Sequence, residues 1–203
     1  MQEAALKAEV NYTERFNYLL CDVVRRGVPQ LVAYLENNGF FTAPCSSQHH
    51  GCCDGGLVIH SVQVTDLMLK LRPVIAPEIT EDSCIVSGLL HDIGKAGFYG
   101  KPNYIENILK KTGKRSDSKP FETNSDRLAI PHQVVSLQIT SKFIPLTEDE
   151  AFAILYHNGL YTPDGRAIQG KETPLMMLLH FADMWSSRFV EGEYKPVSDG
   201  GLF

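Results

Sequence analysis

The sequence predicts an all-α, single-domain protein. Three observations carry that prediction. Apolar residues recur at helical spacing in one segment after another, capping and stop signals bracket those segments, and clean alternating runs of the kind that mark strands are few. The chain has 203 residues, 43% of them hydrophobic and 21% charged, a globular composition of a length that suits one domain. Such a chain can bury a core without disulfides or a structural metal.

Taken in order, residues 12–38 read as a helical region, with Tyr12, Phe16, Leu19, Leu20, Val23 and Val24 at helical spacing. Val28-Pro29 is expected to interrupt it, and Asn37-Asn38-Gly39 to end it. Residues 39–56 form a loop rich in Gly, Ser, Cys and His. Residues 57–71 form a helix with His60, Val64, Leu67 and Leu71 on one stripe, which Pro73 and Pro77 should break. The next helix begins at Thr80, with Glu81 and Asp82 placed where the helix dipole favours anions, and stops near Gly94. Residues 96–128 read as irregular, with one short helical piece around Tyr104–Lys111, and a further helix covers about 131–143. Thr147 and Glu150 make a capping box for a helix that ends at His157, before the Asn158-Gly159 stop. Glu172–Val190 is the last long helix, with Pro174 in its first turn. These boundaries suggest an N-terminal helical region over 1–38, a core over about 40–190 and a loose tail over 191–203.

Composition narrows the function. The formal net charge of −5 argues against a general nucleic-acid binder. The start, MQEAALKAEVNY, has no apolar run of the kind a secretory signal carries. No stretch of ~18 apolar residues offers a membrane span. Five cysteines without a secretory signal read as reduced thiols, so a cytoplasmic protein is expected. Cys45, Cys52 and Cys53 lie near His49 and His50, but their spacing is not C-x2-C and adjacent cysteines share one tetrahedral ion poorly. Buried or loop thiols are the expectation there.

The chemistry lies in a constellation set in apolar surroundings: His60 in GGLVIHS, His91-Asp92 in SGLLHDIGK, His132 in AIPHQVV, His157 in AILYHN and Asp183 in LLHFADMW. A polar group on an apolar helix face costs several kcal/mol if it is unsatisfied. A lone histidine in such a place is usually a satisfied core residue. Several helices that each deliver His or Asp inward are satisfied together by one buried metal. Imidazole and carboxylate without thiolate suit Mn, Fe, Ni, Co or Zn. His60, His91, Asp92 and Asp183 can hold one ion, and His132 with His157 can add a second, Asp92 bridging. Two ions ~3.5–4 Å apart would clamp a phosphate and hold hydroxide in line for attack.

The order His60, His91-Asp92, Asp183 resembles the signature of the HD superfamily of metal-dependent phosphohydrolases. With His132 and His157 it is similar to the dinuclear members. The likeness extends to a group of bacterial and phage HD proteins. It rests on Ala43-Pro44-Cys45-Ser46 through His50-Gly51, Gly55-Gly56-Leu57 to His60-Ser61, His91 to Lys95 with Phe98-Tyr99, His132 to Ser136, and Tyr156-His157-Asn158-Gly159. The group's H-G-E-K-S piece here reads His132-Gln133-Val134-Val135-Ser136, so its Glu and Lys are missing. The resemblance spans about residues 40–190. It implies an all-α bundle with a metal site in its core, one or two divalent ions (Mn, Fe, Ni, Co, Zn or Mg), and hydrolysis of a phosphoester or phosphoanhydride. The substrate would be a nucleotide or another small phosphorylated molecule. Iron oxygenases that use the same ligands also occur on this fold, so kinship alone does not fix the reaction.

Supporting residues each have two readings. Lys95 is a phosphate contact beside the metal, with Asp92 its catalytic partner, or a lysine that complements a helix terminus. His50 is a substrate contact at the pocket mouth or a loop-packing residue. Arg188, five after Asp183, reaches a phosphate or lies on the surface. His180 is near the face of Asp183 but is not expected to be a ligand. The 96–128 segment is locally +3, either a lure for an anionic substrate or a solvated loop. Thr112-Gly113-Lys114-Arg115 is not a P-loop, because Ile108 replaces the first Gly and Arg115 the Ser/Thr. Besides a phosphohydrolase, a di-iron oxygenase and a non-catalytic nucleotide-binding module fit the same residues. Long nucleic acid fits less well than a small anion, and the oligomeric state is left open.

Overall fold

A computed structural model describes residues 10–191. Among these the fold is mostly helical. Helix α1 spans Tyr12–Cys21, with the Asn11 side chain accepting from the Glu14 N–H as its cap, and it buries Phe16, Leu19 and Leu20. The break in the first helical region falls before Val28-Pro29 rather than at it. Gly27, at φ +88°, starts α2 (Val28–Asn37) and Pro29 sits in its first turn, where the missing N–H costs nothing. A Cβ on Gly27 would stand 1.9 Å from the Phe143 carbonyl oxygen, so the approach of this turn to a later helix requires glycine.

Helix α3 (Gly56–Ile75) runs through the middle of the molecule and packs against α1, α4 and α8. It continues past Pro73, contrary to the expected stop. The proline lies in the last turn, where it removes one ladder bond but leaves too little helix downstream to be broken off. Thr80 caps α4 (Glu81–Leu90) by accepting from the Ser83 N–H. A short 3-10 turn, Ile93–Lys95, follows.

The 96–128 segment corrects the sequence reading most. The expected helical piece around Tyr104–Lys111 is extended. Strands β1 (Gly97–Phe98) and β2 (Lys101–Pro102) form one antiparallel pair, and β3 (Tyr104–Glu106) and β4 (Phe121–Thr123) form another. Tyr104, Ile105, Ile108 and Leu109 have helical spacing, but pairing with residues 121–123 prevails and leaves Ile105, Ile108 and Leu109 exposed. Tyr104 and Phe121 instead mark half-buried strands.

Helix α5 covers His132–Phe143, and α6 (Glu148–Tyr156) starts at the Thr147–Glu150 capping box, both of whose hydrogen bonds are present. The loop after α6 contains a short helix, α7 (Pro163–Ala167). The last long helix starts later than expected and changes character before its end: α8 is Pro174–Trp185, and Ser186–Val190 is π-helical. Two apolar clusters flank α3. One joins Phe16, Leu31, Leu35, Leu89 and Ile139, and the other joins Met68, Ala153, Leu175 and Leu179. Among the described residues no helix is long and apolar enough to cross a membrane.

Candidate metal centre

Five helices, two of them through their C-terminal ends, bring the six candidate ligands together. His60 lies inside α3, His91 caps the C-terminus of α4, and Asp92 follows it. His132 opens α5, His157 caps the C-terminus of α6, and Asp183 sits in α8. Their meeting depends on Gly94. A Cβ there would stand 2.3 Å from the His132 carbonyl oxygen, and the Gly94 N–H donates to Ser136 Oγ at 2.9 Å. The turn after Asp92 can therefore lie directly on the first turn of α5, which brings His132 to the carboxylate.

Asp92 is the centre of the arrangement and its two oxygens face different pairs. Oδ2 lies 3.5 Å from His60 Nε2 and 3.4 Å from His91 Nε2. Oδ1 lies 3.2 Å from His132 Nε2 and 3.5 Å from His157 Nε2. Asp183 Oδ1 joins the first pair, 3.2 Å from His60 Nε2. In the second pair the two Nε2 atoms are 3.3 Å apart. Nitrogens bound to one ion at roughly 2.1 Å stand about that far from each other. His60, His91, Asp92 and His157 are all at most 1% exposed.

Buried polar groups are normally hydrogen-bonded, yet His60 Nε2, His91 Nε2 and Asp92 Oδ1 are buried with no hydrogen-bond partner among the described residues. His91 Nδ1 meets the Gly88 carbonyl and His157 Nδ1 the Ile154 carbonyl, each at 2.8 Å. Those carbonyls can only accept, so both rings carry a proton on Nδ1 and turn Nε2 toward Asp92. Burial, reinforced by His91, lowers the His157 pKa to about 3, which keeps its ring neutral. A cluster of inward imidazole nitrogens and carboxylate oxygens is a cation receptor, and the donor set fits divalent ions. His60, His91 and Asp183 offer one set of converging atoms, and His91, Asp92 and His157 another.

Lys95 brings an ammonium to the centre, with Nζ 2.5 Å from Asp92 Oδ2. Burial opposes its charge, but Asp92 outweighs burial and holds the pKa above the ordinary lysine value. Burial likewise works against the Asp92 carboxylate, yet Lys95, then His91 and His132, keep it well below the usual range. A cavity of about 880 Å³, lined by His49, His50, Cys52, Cys53, Arg188 and Glu191 among others, adjoins the cluster through His50 and Glu191, which flank His60. The His50 and His60 ring centroids are 5.0 Å apart, and burial, with His60 and Lys95 adding to it, lowers the His50 pKa to about 4.

Of the supporting residues named from sequence, Lys95 and His50 adjoin the cluster. Arg188 shares the cavity wall with His50, but its guanidinium lies 5.5 Å over the Tyr161 ring and is not directed at the ligands. His180 Nδ1 meets the His157 carbonyl at 2.8 Å, so it supports the turn that carries a ligand. The cysteines do not converge as a set. Cys45 is buried, 3.8 Å from Lys95 Nζ and near His50 and His60, whereas Cys52 and Cys53 face the cavity, and all five are free thiols. The +3 segment is partly neutralised, since Arg115 pairs with Asp54 and Glu106.

Sequence reasoning missed two residues. Tyr104, assigned to a helix, is a strand residue whose phenol is pushed up by burial and eased by nearby Lys95. Glu191, assigned to a loose tail, is the more consequential. Its side chain is 6% exposed and its Oε1 meets His60 Nδ1 at 2.7 Å. Nothing local in RFVEGEY marks it. The rest of the expected tail, 192–203, lies outside the described residues.

The chain matches no curated protein and no solved structure. The sequence model of the HD domain matches residues 57–183, which begin just before His60 and end on Asp183. With that match over more than half of its length, the chain belongs to the HD-domain family, whose members bind divalent metals and generally include metal-dependent phosphohydrolases.

Proposed function

We propose that this protein is a metal-dependent phosphohydrolase that cleaves a phosphoester or phosphoanhydride in a nucleotide or another small phosphorylated molecule. The observation that carries the reading is the division of Asp92: one oxygen toward His60 and His91, the other toward His132 and His157. On this reading His60, His91, Asp92 and Asp183 hold one ion, and Asp92, His132 and His157 hold a second. The ions would supply Lewis acidity toward phosphoryl oxygens and activate water for attack on phosphorus.

The remaining roles belong to the chain itself. Asp92 supplies charge to both halves and anchors Lys95. Lys95 keeps its proton and donates to a phosphoryl oxygen beside Asp92, adding positive charge where negative charge builds up. His50, neutral at pH 7, and Arg188 face the cavity next to His60, where the rest of the substrate is received. A cavity of about 880 Å³ accommodates a molecule of nucleotide size.

The test is metal analysis of the purified full chain, followed by a phosphate-release screen over a nucleotide panel with each divalent ion. Release that disappears in His91→Ala and Asp92→Ala together with bound metal is the expected result. Full activity in either variant sinks the proposal. Oxidation of substrate after anaerobic iron loading and exposure to oxygen, without phosphate release, would replace it with an oxygenase. Tight nucleotide binding with no turnover in any metal would replace it with a binding module.

A further inference from the structure

Each inward-facing histidine needs its second ring nitrogen fixed, because that partner decides which nitrogen carries the proton. His91 and His157 solve this locally. Both stand at the C-terminus of a helix, where the last four carbonyls have no intrahelical partner, and each uses the carbonyl three residues back. His60 lies inside α3, where the carbonyls one turn back serve the helix itself. Its Nδ1 partner is instead a carboxylate, Glu191 Oε1 at 2.7 Å, from a residue 131 positions later.

The backbone around Glu191 is arranged for that reach. Asp183, which faces His60 Nε2, and Glu191, which faces His60 Nδ1, are eight residues apart. Eight residues of α-helix make about 2.2 turns, so the second side chain would be rotated well away from the first. The π-helical segment Ser186–Val190 lies between them, closed by the Glu191 N–H donating to the Ser186 carbonyl at 2.9 Å. A π turn absorbs an extra residue and brings the interval back to about two turns. Asp183 and Glu191 thereby grip the two nitrogens of one ring.

We propose that Glu191 is a positioning residue for the metal centre. It holds the His60 proton on Nδ1, aims Nε2 at Asp92 and Asp183, and makes the imidazole a stronger ligand than a carbonyl partner would. The proposal rests on the metal-centre reading above.

The test uses the full chain. Wild type, Glu191→Gln and Glu191→Ala are titrated with Co²⁺ against a chelating competitor of known affinity. Loss of an outer partner of a ligating histidine weakens metal binding roughly 10–100-fold. The alanine variant is expected in that range. The isosteric glutamine variant should fall between it and wild type, with an unchanged urea midpoint in the metal-free state. Nitrogen NMR of the Zn²⁺-loaded proteins should find a slowly exchanging proton on His60 Nδ1 in wild type and a rapidly exchanging one in the alanine variant. Wild-type Co²⁺ affinity in both variants, with the same exchange of the His60 Nδ1 proton, overturns the inference while leaving the metal centre standing. Failure of wild type itself to take up Co²⁺, Mn²⁺, Fe²⁺ or Zn²⁺ overturns both.

Discussion

Two places where the described residues bury charge are built on opposite principles. Around Arg25 every polar atom is answered. Its Nε donates to Asp82 at 2.9 Å, its Nη1 to the Pro145 carbonyl and Glu150 at 2.9 and 2.7 Å, and its Nη2 to Asp82 and Glu150. Glu150, with a fully buried side chain, also accepts from the Thr147 N–H and Ser83 Oγ. The network ties the turn after α1 to α4 and α6. Around Asp92 the opposite holds, because imidazole nitrogens and carboxylate oxygens converge on one another and, among the described residues, His60 Nε2, His91 Nε2 and Asp92 Oδ1 stay without a hydrogen bond. A satisfied network stabilises the fold that contains it. An unsatisfied one is tolerated only if something arrives to complete it.

That contrast predicts a separation of effects. The largest belongs to the open cluster: Asp92→Ala should lose bound metal and lower phosphate release by at least ~10³-fold, in line with losing an electrostatic element of a catalytic site. By comparison His132→Ala, at a partly exposed position, should lose activity yet leave metal-free stability within about 0.5 kcal/mol. An equal loss of stability and activity in both variants would break the comparison.

Next in size is Arg25→Met. It strands Glu150 without a counter-charge, which costs about 3–5 kcal/mol. Urea unfolding should report this, while metal bound per folded molecule stays at the wild-type value. Reduced metal stoichiometry in the folded fraction would mean that the two regions are not independent.

Metal itself should stabilise the open cluster alone. A free ion concentration a hundredfold above its Kd adds about 2.7 kcal/mol to unfolding, which a chelator removes. The increment should persist in Arg25→Met and vanish in His91→Ala, as followed by thermal melts.

Acid sharpens the contrast further. Burial alone would raise the Glu150 carboxyl, but Arg25, the Thr147 N–H and Ser83 outweigh it and hold it below its ordinary value. A folded-state pKa below the unfolded one contributes stability that is present above the unfolded value, about 4.3, and lost as pH falls. Without Arg25 burial dominates and the sign reverses. The stability gap between wild type and Arg25→Met should therefore narrow between about pH 5 and 3, whereas a constant gap would exclude this linkage. The smallest effect is Ser83→Ala, which removes one hydrogen bond to Glu150 and should cost about 1 kcal/mol in the same urea assay.

Much of this was legible in the sequence where the signal is local. The Thr147–Glu150 box and the start of α4 at Thr80, with Glu81 and Asp82 in its first turn, are each specified within about one helical turn and occur as read. His60 and Val64 lie on the buried face of α3, with Leu67 and Leu71 half-buried beside it. The six candidate ligands were also legible, because each interrupts an apolar helix face with a group that burial would penalise. Pro29 and Pro73 were misread for a shared reason. Proline breaks a helix interior but is harmless in a first turn and weakly disruptive in a last one, and only the true boundaries tell these positions apart. Tyr104–Lys111 was misread because a short segment takes its conformation from what it pairs with, here residues 121–123. Arg25 and Glu191 carried no signal, since their partners lie 57, 125 and 131 residues away.

The sequence by itself determined the helices, their caps and the inward-facing histidines and aspartates. Backbone hydrogen bonding and hydrophobic periodicity act over a few neighbouring residues, and both can be read along the chain. Only the tertiary structure decided which Asp92 oxygen faces which pair, that Gly94 lets α5 close onto it, and that Glu191 returns to His60. Those are distances between groups far apart in the chain. They are set by how helices pack at close range, which no single segment encodes.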